Sequence, residues 1–270
     1  MPHHQSIQFN EGVANVVQLP DLQSYDAWKR VLQSKCKDHR YYEIVEETLE
    51  CGFEHHYLVL ENRSGEVLAV QPVFFVRQNL VEGVPGKIRS VVDAIRKYLP
   101  RFLTMRVLMV GCGAGTGDLG AIEEKDEPWV ASALQATLRT YAKQNKAALV
   151  VFKDFPANYR ATLDVLRLND YARIPSMPMT RLPLPYANWD DYFGTLSKAT
   201  RKDLRRKFRK TERALKIEME VLNDVSPLID EIYPLYLAVH ERSSLKFETL
   251  TKGYFRAVAQ RMPDRARFFI

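Results

Sequence analysis

The sequence predicts an α/β protein built on a mixed, twisted sheet flanked by helices. Three observations predict it. Helical patterns alternate with short β-rich runs along the 270 residues, the order in which a sheet acquires helices on both faces. Hydrophobic residues make up 46% and charged residues 27%, a balance ordinary for a globular protein, so disorder is not the default reading. No internal repeat or low-complexity tract interrupts the pattern, so the length corresponds to one large domain or two ordinary ones.

The elements follow in order. Residues 13–19 are a short apolar stretch ending at Pro20, and residues 22–36 place Tyr25, Trp28, Val31 and Leu32 at helical spacing. Residues 56–60 and 67–76 are β-rich runs around Asn62-Arg63-Ser64-Gly65, a turn signal, and predict a hairpin. Residues 88–98 read as a helix that stops near Pro100, and residues 106–110 as a buried strand running into a glycine cluster. Residues 127–144 predict a helix with Pro128 in its first turn and Val130, Leu134, Leu138 and Tyr141 on one face. Residues 147–152 are a strand ended by Lys153-Asp154-Phe155-Pro156, residues 158–168 a helix, and residues 171–184 an extended, proline-broken segment. A first domain is therefore expected over residues 1–185, and a second over 186–270.

The second unit opens on Asn188, with Asp191 three residues on, an N-cap pattern. A basic helix follows. Then come a strand over 217–222, helices over 225–240 and 251–261, and the start of a strand over 267–270. A strand there, with too few partners, implies a second domain that is only partly present.

Charge singles out the basic helix. Residues 198–216 hold ten Lys/Arg against Asp203 and Glu212, a local excess of +8 in a chain whose net charge is +6. At 100° per residue, Leu204, Phe208 and Leu215 form a stripe expected to be buried, and Lys198, Lys202, Arg205, Arg206, Arg209 and Arg213 share an arc of about 100°. Thr200 is the expected N-cap, with Asp203 as its partner. Arg201 and Lys202 would then sit where the helix dipole disfavours cations by roughly 0.3–1 kcal/mol each. A bound anion would reverse that cost, so Lys198, Arg201, Lys202, Arg205 and Arg209 are the candidate phosphate contacts. Modules that bind single strands interleave aromatic residues for stacking. Phe208 is placed on the opposite side, so specific DNA binding is not expected. The phosphates of an anionic small molecule such as a nucleotide, of coenzyme A, of an aminoacyl-tRNA end or of a lipid head group all fit equally.

Gly111-Cys112-Gly113-Ala114-Gly115-Thr116-Gly117 after an apolar strand resembles the first motif of S-adenosylmethionine-dependent methyltransferases. There an acidic residue ends the next strand about 20 residues later; here that residue is Asp154, about 40 on.

The stretch from Phe152 to Arg261 carries a second resemblance. Its pieces are Phe152-Lys153-Asp154-Phe155-Pro156, Tyr171-Ala172-Arg173-Ile174-Pro175, Trp189-Asp190-Asp191-Tyr192-Phe193, the helix opening Leu196-Ser197-Lys198-Ala199-Thr200-Arg201-Lys202-Asp203-Leu204-Arg205-Arg206-Lys207, and Leu235-Tyr236 through Glu241-Arg242. Together they resemble the GNAT-type acyltransferases of the FemAB/BioF2-like group, with residues 13–150 agreeing in the order of elements. The resemblance implies tandem GNAT-like domains and an N-acyltransferase. Such an enzyme moves an acyl or aminoacyl group from a thioester or ester donor to an amine, with acyl-CoA as the expected co-substrate. It also implies a second domain running past Ile270, where the donor site would then lie. The glutamine/arginine-x-x-glycine-x-glycine/alanine loop of CoA-binding members is absent from this sequence.

Among single residues, His240 and Glu241 are candidate general bases at a helix end. Ser197 reads as a cap or turn residue rather than a nucleophile, and Tyr233 and Tyr236 as core or cleft lining. His55 and His56 are consecutive on a strand and point to opposite faces, so they do not share a metal, and no metal is expected. Cys36, Cys51 and Cys112 are too few and too scattered for a disulfide framework. No apolar run approaches the roughly 20 residues of a membrane span, and Met1-Pro2-His3-His4-Gln5 lacks a signal-peptide core. A cytoplasmic protein without integral membrane association is expected. Three functions stay open: N-acyltransferase, methyltransferase, and a non-catalytic module that docks on nucleic acid or an anionic membrane through the basic helix.

Overall fold

Alternating side chains along six strands put one set of apolar residues on each side of a sheet. The computed structural model describes residues 5–49, 52–81, 86–176, 180, 182–243 and 246–270. In chain order the elements begin with β1 (Gln5–Phe9), β2 (Gly12–Val17), α1 (Leu19–Leu22), α2 (Asp26–Arg30), α3 (His39–Thr48), β3 (Phe53–Asn62), β4 (Val67–Asn79) and α4 (Gly86–Arg96). They continue with β5 (Thr104–Val110), α5 (Glu127–Gln144), β6 (Leu149–Phe152), α6 (Asp164–Arg167), α7 (Trp189–Thr195) and α8 (Lys198–Ala214). The last are β7 (Val221–Leu222), α9 (Ile229–Arg242), α10 (Lys252–Arg261) and β8 (Phe268–Phe269). The contacts divide the chain into two compact units, Met1–Arg173 with Asn223–Arg267, and Ile174–Leu222 with Phe268–Ile270.

In the first unit the sheet order is β1-β2-β3-β4-β5-β6. The first five strands are antiparallel to their neighbours, and β5 and β6 run parallel, Val107 opposite Leu149 and Val110 opposite Phe152. One face buries Leu58, Leu60, Val73, Phe75, Leu108 and Val110 against Val130, Leu134, Leu138 and Tyr141 of α5. The other buries Tyr57, Val59 and Val70 against Trp28, Val31, Tyr42 and Val45. The mixed sheet with helices on both faces is therefore present. All four residues expected on the inner face of the 127–144 helix are buried.

Local details differ from the pattern reading. The helix expected over 22–36 is two short pieces, α1 and α2, followed by turns. Val31 and Leu32 are adjacent and both buried, and the chain turns at Leu32, φ 61°, to bury both. The helix expected over 158–168 is a 3₁₀ turn at Ala157–Arg160 and the four-residue α6. The strand expected over 217–222 is two residues long and pairs with β8. Strand β1 and helix α3 were not read from the pattern. In β1 only Ile7 is buried, and α3 starts at Asp38, whose carboxylate accepts from Arg40 N at 3.1 Å. Cys51 lies outside the described residues; Cys36 and Cys112 are free thiols.

Helix α10 packs with α3. Thr251 caps α10 and its hydroxyl donates to Thr48 O at 2.9 Å. Arg261 meets Glu47 at 2.6 Å, and Arg40 donates to Asp264 at 2.8 and 2.9 Å. Arg265 lies 3.2 Å from Asp38, which is 3% exposed. These pairs join residues 38–47 to residues 261–265.

Candidate functional site

A parallel strand pair joined by a helix opens its crevice beyond the carboxyl ends of the strands, which is where open α/β sheets bind ligands. Strands β5 and β6, connected through α5, make such a pair. At its end β5 does not enter α5 directly. Gly111 N donates to Pro72 O at 3.1 Å, residues 112–119 leave the sheet, and the chain returns to pair with β4 through Val70 N to Gly120 O and Ile122 N to Leu68 O, both 2.9 Å. Gln71, fully buried, fills the gap. Its amide Nε2 donates to Asp118 O at 3.2 Å, and its Oε1 accepts from Gly120 N at 2.9 Å.

The glycine cluster is thus a folded excursion held by side chains. Gly111 has φ 116°, a region L side chains rarely enter. A Cβ on Gly117 would stand 2.5 Å from Lys153 O and 2.6 Å from the Phe155 ring. Those two glycines let the excursion lie flat on residues 153–155. Tyr159 ties its far end, its hydroxyl 3.2 Å from Asp118 and 3.3 Å from Glu127. One phenolic proton cannot serve both carboxylates, and burial pushes both carboxyls up.

Two lysines converge on the excursion. Lys153 Nζ donates to Gly115 O at 3.1 Å, pairs with Asp154 at 3.0 Å, and lies 4.8 Å over the Phe247 ring. Lys37 Nζ reaches the Thr116 hydroxyl at 3.3 Å. Tyr41 donates to Ala114 O at 3.1 Å and meets the Tyr254 hydroxyl at 2.8 Å. Cys112 is buried, and desolvation pushes its thiol up to about 11, which makes it a poor nucleophile at neutral pH. Half-buried Glu248 has its carboxyl raised, chiefly by burial, with Lys153 pulling the other way. A carboxyl raised by burial beside a lysine has the character of a general base.

His240 belongs to this neighbourhood. Its Nε2 lies 3.2 Å from Glu248 O and 3.3 Å from the Thr249 hydroxyl, so the ring holds the segment that carries Glu248. Glu241 is exposed on α9. Tyr236 accepts from Leu250 N at 2.8 Å and Tyr233 donates to Leu250 O at 3.2 Å, supporting the same segment. Pattern reasoning missed Lys37, Lys153 and Glu248. Lys153 was visible as the residue ending a predicted strand, whereas Lys37 and Glu248 reach the excursion only through folding. The N-terminus of α5 is crowded by Glu124, Asp126 and Glu127, so a phosphate would meet carboxylates there.

The second unit holds the basic helix. Its N-cap is Ser197, whose hydroxyl accepts from Thr200 N at 3.1 Å, rather than the expected Thr200. Of the stripe expected to be buried, Leu204 is half-buried and Phe208 and Leu215 are open. Phe208 is 43% and Leu215 67% exposed; Phe208 and Arg205 meet the Trp189 and Phe193 rings of α7. Arg201 is engaged, its Nη1 donating to Gly194 O at 2.9 Å and Leu196 O at 2.6 Å at the end of α7. Arg206 and Lys207 pair with Asp203 at 2.6 and 2.8 Å. Lys198, Lys202, Arg205 and Arg209 are exposed.

No protein-family model, curated protein or solved structure matches this chain. Among the described residues no helix is long and apolar enough to cross a membrane, and no group of three or more His, Cys, Asp and Glu is placed to hold a metal ion.

Proposed function

We propose that the first unit is an N-acyltransferase that moves an acyl or aminoacyl group from a thioester or ester donor to an amine. The carrying observation is the excursion of residues 112–119 at the carboxyl ends of β5 and β6, with Lys37, Lys153 and the raised Glu248 around it. Support also comes from an antiparallel run of strands leading into one parallel pair, alongside the resemblance of residues 152–261 to GNAT-type acyltransferases. In this reading the two lysines supply positive charge for substrate anions. The acceptor nitrogen attacks the donor carbonyl carbon and forms the new C–N bond. Glu248 takes the proton released from nitrogen, and the C–S or C–O bond breaks as the thiolate or alkoxide leaves. An acyl-CoA fits at its anionic end through Lys37, not through the acid-crowded start of α5. On α8, Lys198, Lys202, Arg205 and Arg209 form a separate cationic face for an anionic part of donor or acceptor.

The test is thermal unfolding with acetyl-CoA, S-adenosylmethionine and heparin. Acetyl-CoA at 100 times its dissociation constant is expected to stabilise by about 2.7 kcal/mol, and a Lys37→Met variant to lose most of that shift. Stabilisation by S-adenosylmethionine instead assigns the excursion to methyl transfer. Stabilisation by heparin alone leaves a non-catalytic polyanion-binding module.

A further inference from the structure

A second cluster of side chains adjoins Lys153 and Glu248 without holding the excursion. Phe53, Phe74 and Phe247 pack at steep angles, with ring centroids 5.4 Å apart for Phe53 and Phe74 and 5.6 Å for Phe53 and Phe247. Phe247 carries Lys153 Nζ over its ring and is followed directly by Glu248. His55 lies two residues from Phe53 on the same face of β3, 5.8 Å from the Phe74 ring. It also touches the excursion, since a Cβ on Gly113 would stand 3.8 Å from its Cε1. Phe74 is buried, while Phe53, His55, Lys153, Phe247 and Glu248 are half-buried, so the apolar surface meets solvent at its edge.

His55 Nε2 is buried and has no hydrogen-bond partner among the described residues. An unmet polar atom costs about 1–3 kcal/mol, and native structures retain one where something else satisfies it. Small-molecule pockets have this composition: an apolar wall with a few convergent polar groups. Three polar groups border the wall here, a carboxylate, an ammonium and an imidazole nitrogen. An apolar acyl chain would answer none of them, and an apolar amine only the carboxylate.

We infer that this cluster is the acceptor subsite and that it takes an apolar amino acid, whose ammonium faces Glu248, whose carboxylate meets Lys153 and His55 Nε2–H, and whose side chain packs on Phe53, Phe74 and Phe247. The inference rests on the acyl-transfer reading and names the acceptor class for it. Lys153 has three N–H donors. Gly115 O and Asp154 take two, and the carboxylate takes the third. The imidazole serves as a neutral donor, in keeping with a buried ring whose protonation is held well below the ordinary range.

The experiment is calorimetric titration of the full chain with L-phenylalanine, phenethylamine, 3-phenylpropanoate and, separately, acetyl-CoA. L-Phenylalanine is expected to bind, and the two truncated analogues to bind about tenfold more weakly or worse, each leaving a charged group of the site unanswered. His55→Phe should weaken L-phenylalanine about tenfold and leave acetyl-CoA unchanged. His55→Gln, which keeps a polar atom, should recover most of the loss. Binding of acetyl-CoA without any amino acid overturns the acceptor assignment while the acyl-transfer reading stands. Equal affinity for phenethylamine and L-phenylalanine also overturns it. Binding of none of the four overturns both.

Discussion

Replacing His55 by phenylalanine should change how stability depends on pH, by an amount the structure sets. Burial lowers the His55 imidazole from 6.5 to about 4, with neighbouring His56 pushing the same way. The unfolded chain therefore binds a proton at this position between those values and the folded chain does not. Stability contributed by the neutral ring is fully present above pH 6.5 and is lost as pH falls toward 4. At pH 5 the loss attributable to this one group is about 2 kcal/mol relative to pH 7.5, and near pH 4 it approaches about 3 kcal/mol. The phenylalanine variant has no proton to bind, and its ring joins Phe53 and Phe74. Urea unfolding followed through the buried Trp28, 1% exposed, measures both proteins at pH 7.5 and pH 5. The variant's drop in stability between the two should be smaller by about 2 kcal/mol. Carboxyls raised by burial, such as Glu46, titrate in both proteins and cancel in the comparison. Identical pH slopes would refute the claim that His55 is buried as a neutral ring.

Three further outcomes are expected. Gly117→Ala should destabilise the first unit by about 1–3 kcal/mol, because its Cβ would meet Lys153 O at 2.5 Å; the same unfolding assay reads this. Arg40→Ala removes the bonds to Asp264 and to Arg261 O and should speed amide exchange across residues 252–267 while leaving β3 and β4 protected. On the basic helix, Lys202→Ala and Arg209→Ala should each lower the slope of log affinity for a polyanion against log salt by roughly 0.7–0.9, whereas Arg201→Ala, which unties α7 from α8, should lower the melting temperature instead.

Elements with strong periodicity were legible because burial on one face imposes its pattern on the sequence. The 127–144 helix, the hairpin around Asn62 to Gly65 and the strand ending at Val110 match the structure closely. The opposite facing of His55 and His56 was legible too: one packs on Phe74, the other on Phe75 and Tyr141. The cap of the basic helix was misplaced by three residues because Ser197 and Thr200 are both good caps. Sequence offers no way to choose until Ser197 takes an extended backbone and accepts from Thr200 N.

By itself the sequence determined an α/β chain, a glycine-rich exit from a buried strand and one concentrated basic helix. Those are properties of neighbours along the chain: side-chain period, turn chemistry and local charge. Tertiary structure alone decided that the glycine exit returns to β4 and is pinned by Gln71, that Lys37 and Glu248 meet Lys153 there, and that residues 223–267 pack with the first 173. Lys37 and Glu248 are separated by more than two hundred positions. No local periodicity relates them, and only the burial of α3 and α10 against each other, fixed by Arg40, Arg261 and Arg265 on their carboxylates, brings them to one site.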